Sequence, residues 1–334
     1  MMNSRKRILI IKLSSFGDIF HALPTVNNLK IALDAEVDWV TQPEYVDLVR
    51  CFPIVSRVIP FPRRQFLTHA GRLFRAVRDV RYDYVIDLQG LLKSAMVARM
   101  ARGGIRIGPS FHREGAGLLY DAVAGVRFKN RHAVDENLDV VRYLGLPILP
   151  VAFPVDIQPR AVDQPKPRVA IVPVSRRANK NWPWANFLET ARYLQDELGA
   201  SLYLFGCQSD RALCETLRAD LQATPGIRTV VNLAGQTDLV EMGRWFKQMD
   251  LVIANDSGPL HMAVALGIPV VTMFGPTDPR RTGPYGGGAG VCTTDIACRP
   301  CFARVCKLPF VECMNHISVK QVTDAVRRVL GHAP

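Results

Sequence analysis

Met249–Tyr285, MDLVIANDSGPLHMAVALGIPVVTMFGPTDPRRTGPY, is the stretch whose reading decides the fold. Leu251–Ala254 is apolar at every position, and Val270–Phe274 is nearly so. Strands without a polar face belong to parallel sheets covered on both sides. Between them, Asn255-Asp256-Ser257-Gly258 reads as a tight polar turn, and Pro259 opens a short helix, because proline is tolerated where the first helical N–H groups have no partner. The unit is strand, turn, helix, strand. Its helix start aims unpaired N–H groups and the positive end of the helix dipole past the end of the sheet, which suits a phosphate.

Working outward, the chain of 334 residues, 48% of them hydrophobic, is long enough for two buried cores and reads as two globular domains. No apolar run reaches the roughly 18 to 20 residues of a membrane span. The N-terminus, MMNSRKRILIIKLSSFGD, has too short an apolar run for a signal peptide and reads as a buried first strand, so a cytoplasmic location is expected. A net charge of +12 points to anionic partners: nucleotide, nucleic acid or an acidic membrane surface. With no zinc-finger helix, RNP-like strand or aromatic-basic ladder in the sequence, nucleic acid is set aside.

The alternation of strands and helices begins at once. Arg7–Leu13 is an apolar strand, Ser14–Asp18 its turn, and Leu23, Val26, Leu29 and Leu33 have helical spacing. Asp18 is then either a helix cap or a ligand-side carboxylate at the strand's carboxyl end. Strands are also expected at Val37–Thr41, Arg57–Pro60, Tyr82–Leu88 and Ile105–Gly108, with a helix near Ala133–Leu144. Arg63 and Arg64 lie in a strand-to-helix loop, while Arg72, Arg75 and Arg78 form a solvated or membrane-facing helical stripe. The prolines between Leu146 and Pro167 mark a linker. Beyond it the pattern restarts, with strands at Arg168–Pro173, Ser201–Phe205 and Arg228–Asn232, helices at Trp184–Leu198 and Leu239–Gln248, and a closing helix at Ser318–Leu330. The expected fold class is α/β, two Rossmann-like domains facing a central cleft. Their bounds are 1–150 for an acceptor-binding domain and 168–315 for a donor-binding domain, followed by a C-terminal helix in 316–334.

The second domain collects Ser175, Lys180, Asp210, Asp256–Gly258 and Thr277-Asp278 at the carboxyl ends of its strands. An acid after a strand ending in glycine can accept ribose hydroxyls, and lysine with backbone N–H groups suits a diphosphate. The absence of GxxxxGK[ST] argues against a P-loop NTPase, and the absence of a well-placed GxGxxG against a dinucleotide oxidoreductase.

These residues carry a resemblance. KLSSFGDIFHALP (Lys12–Pro24), YDYVIDLQGLLKSA (Tyr82–Ala95), NKNWPWANF (Asn179–Phe187) and NDSGPLHMAVALGIPVVTMFGPTDP (Asn255–Pro279) occur in an order similar to that of the lipopolysaccharide heptosyltransferases of glycosyltransferase family nine. The resemblance implies a GT-B fold, an ADP-heptose donor, and an inverting, metal-independent transfer to Kdo or the first heptose of the lipid A-linked inner core. Peripheral action at the anionic inner face of the cytoplasmic membrane is expected from the net charge and the Arg63–Arg81 region. Position by position, Asp18 resembles the general base and Lys180 the lysine that stabilises the departing diphosphate. Ser175, Arg176, Asp210, Asp256, Ser257, Gly258 and Pro259 resemble donor-binding positions. His261 is either a phosphate contact or a core histidine. Ser15, Arg63, Arg64, Lys93 and Arg113 resemble positions facing an anionic acceptor. Ser175-Arg176 departs from the paired threonines of the type-I enzymes, and Asp210 stands where some members have Glu.

Of eight cysteines, five lie between Cys292 and Cys313. Cys298, Cys301, Cys306 and Cys313 could form a structural zinc or iron site, remain thiols, or pair as disulfides, the last disfavoured in a cytoplasm. Three other readings stay open: a family member using another nucleotide sugar or acceptor, a GT-B sugar-nucleotide epimerase, and a nonenzymatic nucleotide- or glycolipid-binding protein.

Overall fold

The computed structural model describes residues 5–63, 66–128, 130–222, 229–286 and 289–331. The chain divides into two compact units, Met1–Asp156 and Ile157–Pro334. In the first, strands β1 (Lys6–Ile11), β2 (Ala35–Thr41), β3 (Arg57–Pro60), β4 (Arg81–Asp87), β5 (Arg102–Pro109) and β6 (Ala122–Ala124) form one sheet in the order 3-2-1-4-5-6. Every pairing is parallel. In the second, β7 (Arg168–Val172), β8 (Ser201–Leu204), β9 (Val230–Asn232), β10 (Leu251–Asn255), β11 (Val270–Phe274) and β12 (Ala289–Thr293) are ordered 12-11-10-7-8-9. These pairings are parallel too. Counted from each unit's first strand the two orders are the same, that of a doubly wound nucleotide-binding sheet. The fold is thus α/β of the GT-B type, built from two Rossmann-like units.

The continuous apolar strands account for this. Ile8, Leu9, Ile10 and Ile11 of β1, and Leu251 through Ala254 of β10, are fully enclosed, as central strands of a sheet covered on both faces must be. Two strands escape the sequence reading. β6 is only three residues long, and β12 begins inside the glycine-rich run 286–290. The single helix expected near Ala133–Leu144 is two short ones, Ala133–Asn137 and Asp139–Tyr143.

Residues 146–167 contain no helix or strand, as their prolines dictate. Their first part is tied to the first unit, the Asp156 N–H donating to the Cys51 carbonyl at 2.7 Å. Their second part belongs to the other unit, where the Arg160 guanidinium lies 4.0 Å over the Trp245 ring and pairs with Glu241. The last helix, Val319–Leu330, packs on β11, β12 and the helix Trp184–Asp196, inside the second core. No helix among the described residues is long and apolar enough to cross a membrane.

Candidate active site

In a sheet of order 3-2-1-4-5-6, the strands on either side of the reversal send their connections apart, leaving a crevice at their carboxyl ends. Both units place their polar constellations there. In the first the reversal lies between β1 and β4. The backbone N–H groups of Leu13 and Ser14 donate to Gln89 Oε1 at 3.0 and 2.8 Å, pinning the β1 turn to the β4 turn. The helix Phe16–Leu33 then starts, and Asp18 Oδ2 accepts from both the backbone N–H and the hydroxyl of Ser15, at 2.9 and 2.7 Å. Asp18 is therefore a cap, but only through one oxygen. Its Oδ1 faces His21 Nδ1 at 3.9 Å, and the side chain keeps 46% of its exposure. Ser15 thereby holds the Asp18 side chain in place.

Burial works to raise the Asp18 pKa, but hydrogen bonding from His21 and the charge of Lys12 outweigh it and hold the carboxyl well below the usual carboxylate range. Lys12 is itself buried. Its ammonium donates to the Leu88 carbonyl at 2.6 Å, and desolvation lowers its pKa against the pull of Asp18 and Asp87. Asp87, with no exposed surface, accepts from the Tyr120 hydroxyl at 2.7 Å and from the N–H groups of Gln89 and Gly90 at 2.7 and 3.1 Å. Desolvation raises its pKa despite these donors. Two carboxylates thus flank one lysine, with Asp18 open to a substrate and Asp87 sealed beneath it.

The basic residues expected to face an acceptor follow the carboxyl ends of β3, β4 and β5 in this sheet. Arg63 is exposed after β3, Lys93 is half-buried in the helix Leu92–Met100, and Arg113 is exposed after β5. The Arg113 N–H donates to the Gly90 carbonyl at 2.8 Å, joining the β5 loop to the β4 turn. Arg64 lies outside the described residues.

In the second unit the reversal lies between β7 and β10, and the quoted turn occupies it. Asn255, with no exposed surface, fastens two loops. Its amide donates to the Pro173 carbonyl at 2.7 Å and its oxygen accepts from the Trp182 N–H at 3.0 Å. Trp182 is buried, its indole N–H donating to the Ile317 carbonyl at 2.8 Å and its ring edge-on to Phe187 at 5.1 Å. With Trp182 fixed, Lys180 reaches the Asn255–Gly258 turn and its ammonium lies 2.5 Å from Asp256 Oδ2. The Thr277 hydroxyl donates to the same oxygen at 2.7 Å.

Ser257 precedes the helix Gly258–Ala265, which has Pro259 in its first turn. The Ser257 hydroxyl oxygen is enclosed and makes no hydrogen bond. An enclosed hydroxyl left unpaired costs about 1–3 kcal/mol, and this one sits at a helix start next to the Asp256 that pairs with Lys180. His261 is buried on this helix.

The other expected donor residues have local partners. Ser175 donates from its backbone and hydroxyl to Asn181 Oδ1, both at 2.8 Å, while Arg176 beside it is exposed. Asp210 Oδ2 accepts from the Cys207 N–H at 2.8 Å and closes the turn after β8. Gly206 permits this return, since a Cβ there would meet the Asp210 Cβ at 2.8 Å. Asp256, expected as a donor contact, spends Oδ2 on Lys180 and Thr277.

The expected metal site gains no support. Among the described residues no group of three or more His, Cys, Asp or Glu is placed to hold a metal ion. Cys298 and Cys301 are exposed, Cys306 half-buried and Cys313 buried, all without a disulfide. Burial, with Cys298, Cys301 and Cys306 nearby, pushes the Cys313 thiol up to about 11.

Asn255, Asn181 and Gln89 are not singled out as site residues by the sequence, though each lies in a quoted motif. Tyr120 and Arg299 sit in loops with no motif to single them out.

Two doubly wound parallel sheets, one with a lysine-braced polar turn and the other with an ionised carboxylate at the equivalent crevice, match the GT-B architecture. The profile for Glycosyltransferase family 9 (heptosyltransferase) matches residues 70–311, and the chain belongs to this family. It is 28% identical over 322 residues to lipopolysaccharide heptosyltransferase 1 of Pseudomonas aeruginosa, covering 90% of this chain and 87% of the relative. It is 27% identical over 321 residues to lipooligosaccharide heptosyltransferase 2 of Haemophilus influenzae, covering 85% and 87%. Among solved structures, E. coli heptosyltransferase WaaC with ADP superposes with a TM-score of 0.78 at 25% identity, covering 97% of this chain and 99% of that one.

Proposed function

We propose that this protein transfers L-glycero-D-manno-heptose from its ADP donor to a Kdo or heptose hydroxyl of the lipopolysaccharide inner core, with inversion and without a metal in the step. The observation that carries the reading is the enclosed, unpaired Ser257 hydroxyl at a helix start beside Lys180. It suits a diphosphate, and the ADP-bound relative supports a nucleotide of that kind. In the proposed step the acceptor oxygen attacks the anomeric carbon and its proton passes to Asp18. The bond from that carbon to the phosphate oxygen breaks, and its electron pair leaves with ADP, stabilised by Lys180 and the helix N–H groups. Arg63, Arg64, Lys93 and Arg113 are the proposed acceptor contacts, and Asp210 the ribose contact.

The test is incubation with ADP-heptose and two truncated cores, one ending in Kdo and one in heptose. One acceptor should gain a single heptose with inverted anomeric configuration, at a rate unchanged by a chelator. Conversion of the sugar nucleotide without transfer would make the protein an epimerase instead.

Action at the anionic inner face of the cytoplasmic membrane is part of this reading. It rests on exposed Phe74, Met96 and Leu118 interspersed with exposed Arg72, Arg75, Arg78 and Arg99 on the contiguous segments Phe66–Arg78, Leu92–Met100 and Ala116–Leu119. Co-sedimentation with liposomes should rise with their anionic lipid content and fall with salt. Binding indifferent to lipid charge would remove the membrane from the proposal.

A further inference from the structure

The loop that begins at Cys298 lies against both turns that build the donor site. On one side Arg299 donates from its guanidinium to three backbone carbonyls: Gly275 at 2.8 Å, Thr294 at 3.0 Å and Thr277 at 3.4 Å. The Phe302 N–H adds a bond to the Pro276 carbonyl at 2.8 Å. On the other side the Asn179 amide donates to the Ala303 carbonyl at 2.8 Å, and Arg177 donates to the same oxygen. Asn179 is the residue before Lys180, and Thr277 holds Asp256, which holds Lys180. The lysine is therefore gripped from both directions by one short segment.

We propose that residues 299–303 act as a strap setting the position of Lys180, with Arg299 as a positioning residue for the donor diphosphate. The inference rests on the donor-site reading above. Arg299 is suited to the task because a planar fork of donors can serve three carbonyls at fixed angles, which a single ammonium cannot reproduce. The strap also explains where the polar groups of the cysteine loop go: they are spent on the donor turns.

The experiment is a double-mutant cycle on ADP affinity by calorimetry, using the full chain with Arg299→Ala, Lys180→Ala and the pair. Arg299→Ala alone should weaken ADP about tenfold, the scale of a lost charged hydrogen-bond set, and Arg299→Lys should recover little of it. If Arg299 works through Lys180, adding Arg299→Ala to Lys180→Ala should weaken ADP by less than twofold more. Additive losses, or unchanged affinity in the single variant, would overturn the strap. Asn179→Ala, which cuts one bond on the opposite side, puts the same question to the cycle should the arginine variants fail to fold. Absence of ADP binding by the unaltered protein would instead refute the donor site on which the strap depends.

Discussion

Asp18→Asn is expected to lower kcat for heptose transfer by about 10²–10⁴-fold, the usual contribution of a general base, while ADP affinity stays within severalfold. Asparagine keeps the shape of the side chain and can still accept from Ser15 at the start of the helix Phe16–Leu33. What it removes is the charge and the basic lone pair of Oδ1. Calorimetry with ADP and initial rates with the accepted core separate the two effects, and full transfer by this variant would take Asp18 out of the mechanism.

The electrostatics of Asp18 give the pH dependence a definite sign. Its folded-state pKa is depressed, so the stability it confers is present above the unfolded value of about 3.9 and is lost as pH falls through the folded value. Asp18 consequently stays ionised across the ordinary carboxylate range. A carboxylate held so firmly in its charged form is also a weak base, which on its own would work against proton abstraction. The reactants proposed here supply the correction. An anionic acceptor bound beside Asp18, as proposed, would bring negative charge that raises the proton affinity of the carboxylate when the acceptor hydroxyl arrives.

Much of this was legible in the chain because apolar strands and polar turns are local signals. β1 and β10 follow from runs of aliphatic residues and β11 from a nearly continuous one, and the turns after β1 and β10 from Ser-Phe-Gly-Asp and Asn-Asp-Ser-Gly. What local pattern does not contain is pairing over long separations. Nothing around Asp256 announces that its carboxylate is taken by Lys180, 76 positions earlier, and by Thr277, 21 positions later. The same holds for Tyr120, whose hydroxyl seals Asp87 from 33 positions away. β12 was hidden because its glycines weaken any strand propensity; Gly290 is required there by close packing, since a Cβ would lie 2.9 Å from the Ala325 Cβ. The cysteine spacing leaves metal, free thiols and disulfides open because spacing alone cannot distinguish four ligands from a loop whose other residues do the bonding.

Lys180→Ala is expected to lower kcat by about 10²–10³-fold, the cost of removing one preorganised group from a developing anion, and to weaken ADP as well. A stability loss should accompany it. The Lys180 and Asp256 side chains are 15% and 5% exposed, and cutting one partner from a buried ion pair leaves the other unpaired, at a cost of roughly 3–5 kcal/mol. Activity and stability must therefore be measured together, and Asp256→Asn separates them. That variant keeps the ammonium but loosens its anchor, so it should retain ADP binding and lose less kcat than Lys180→Ala, with a comparable fall in Tm. Had Asp256 been a direct donor contact, as its place in the Asn-Asp-Ser-Gly turn suggests, its loss would instead raise the donor KM as much as the lysine variant does. The ranking of the two variants decides whether the carboxylate binds the nucleotide or aims the cation that does.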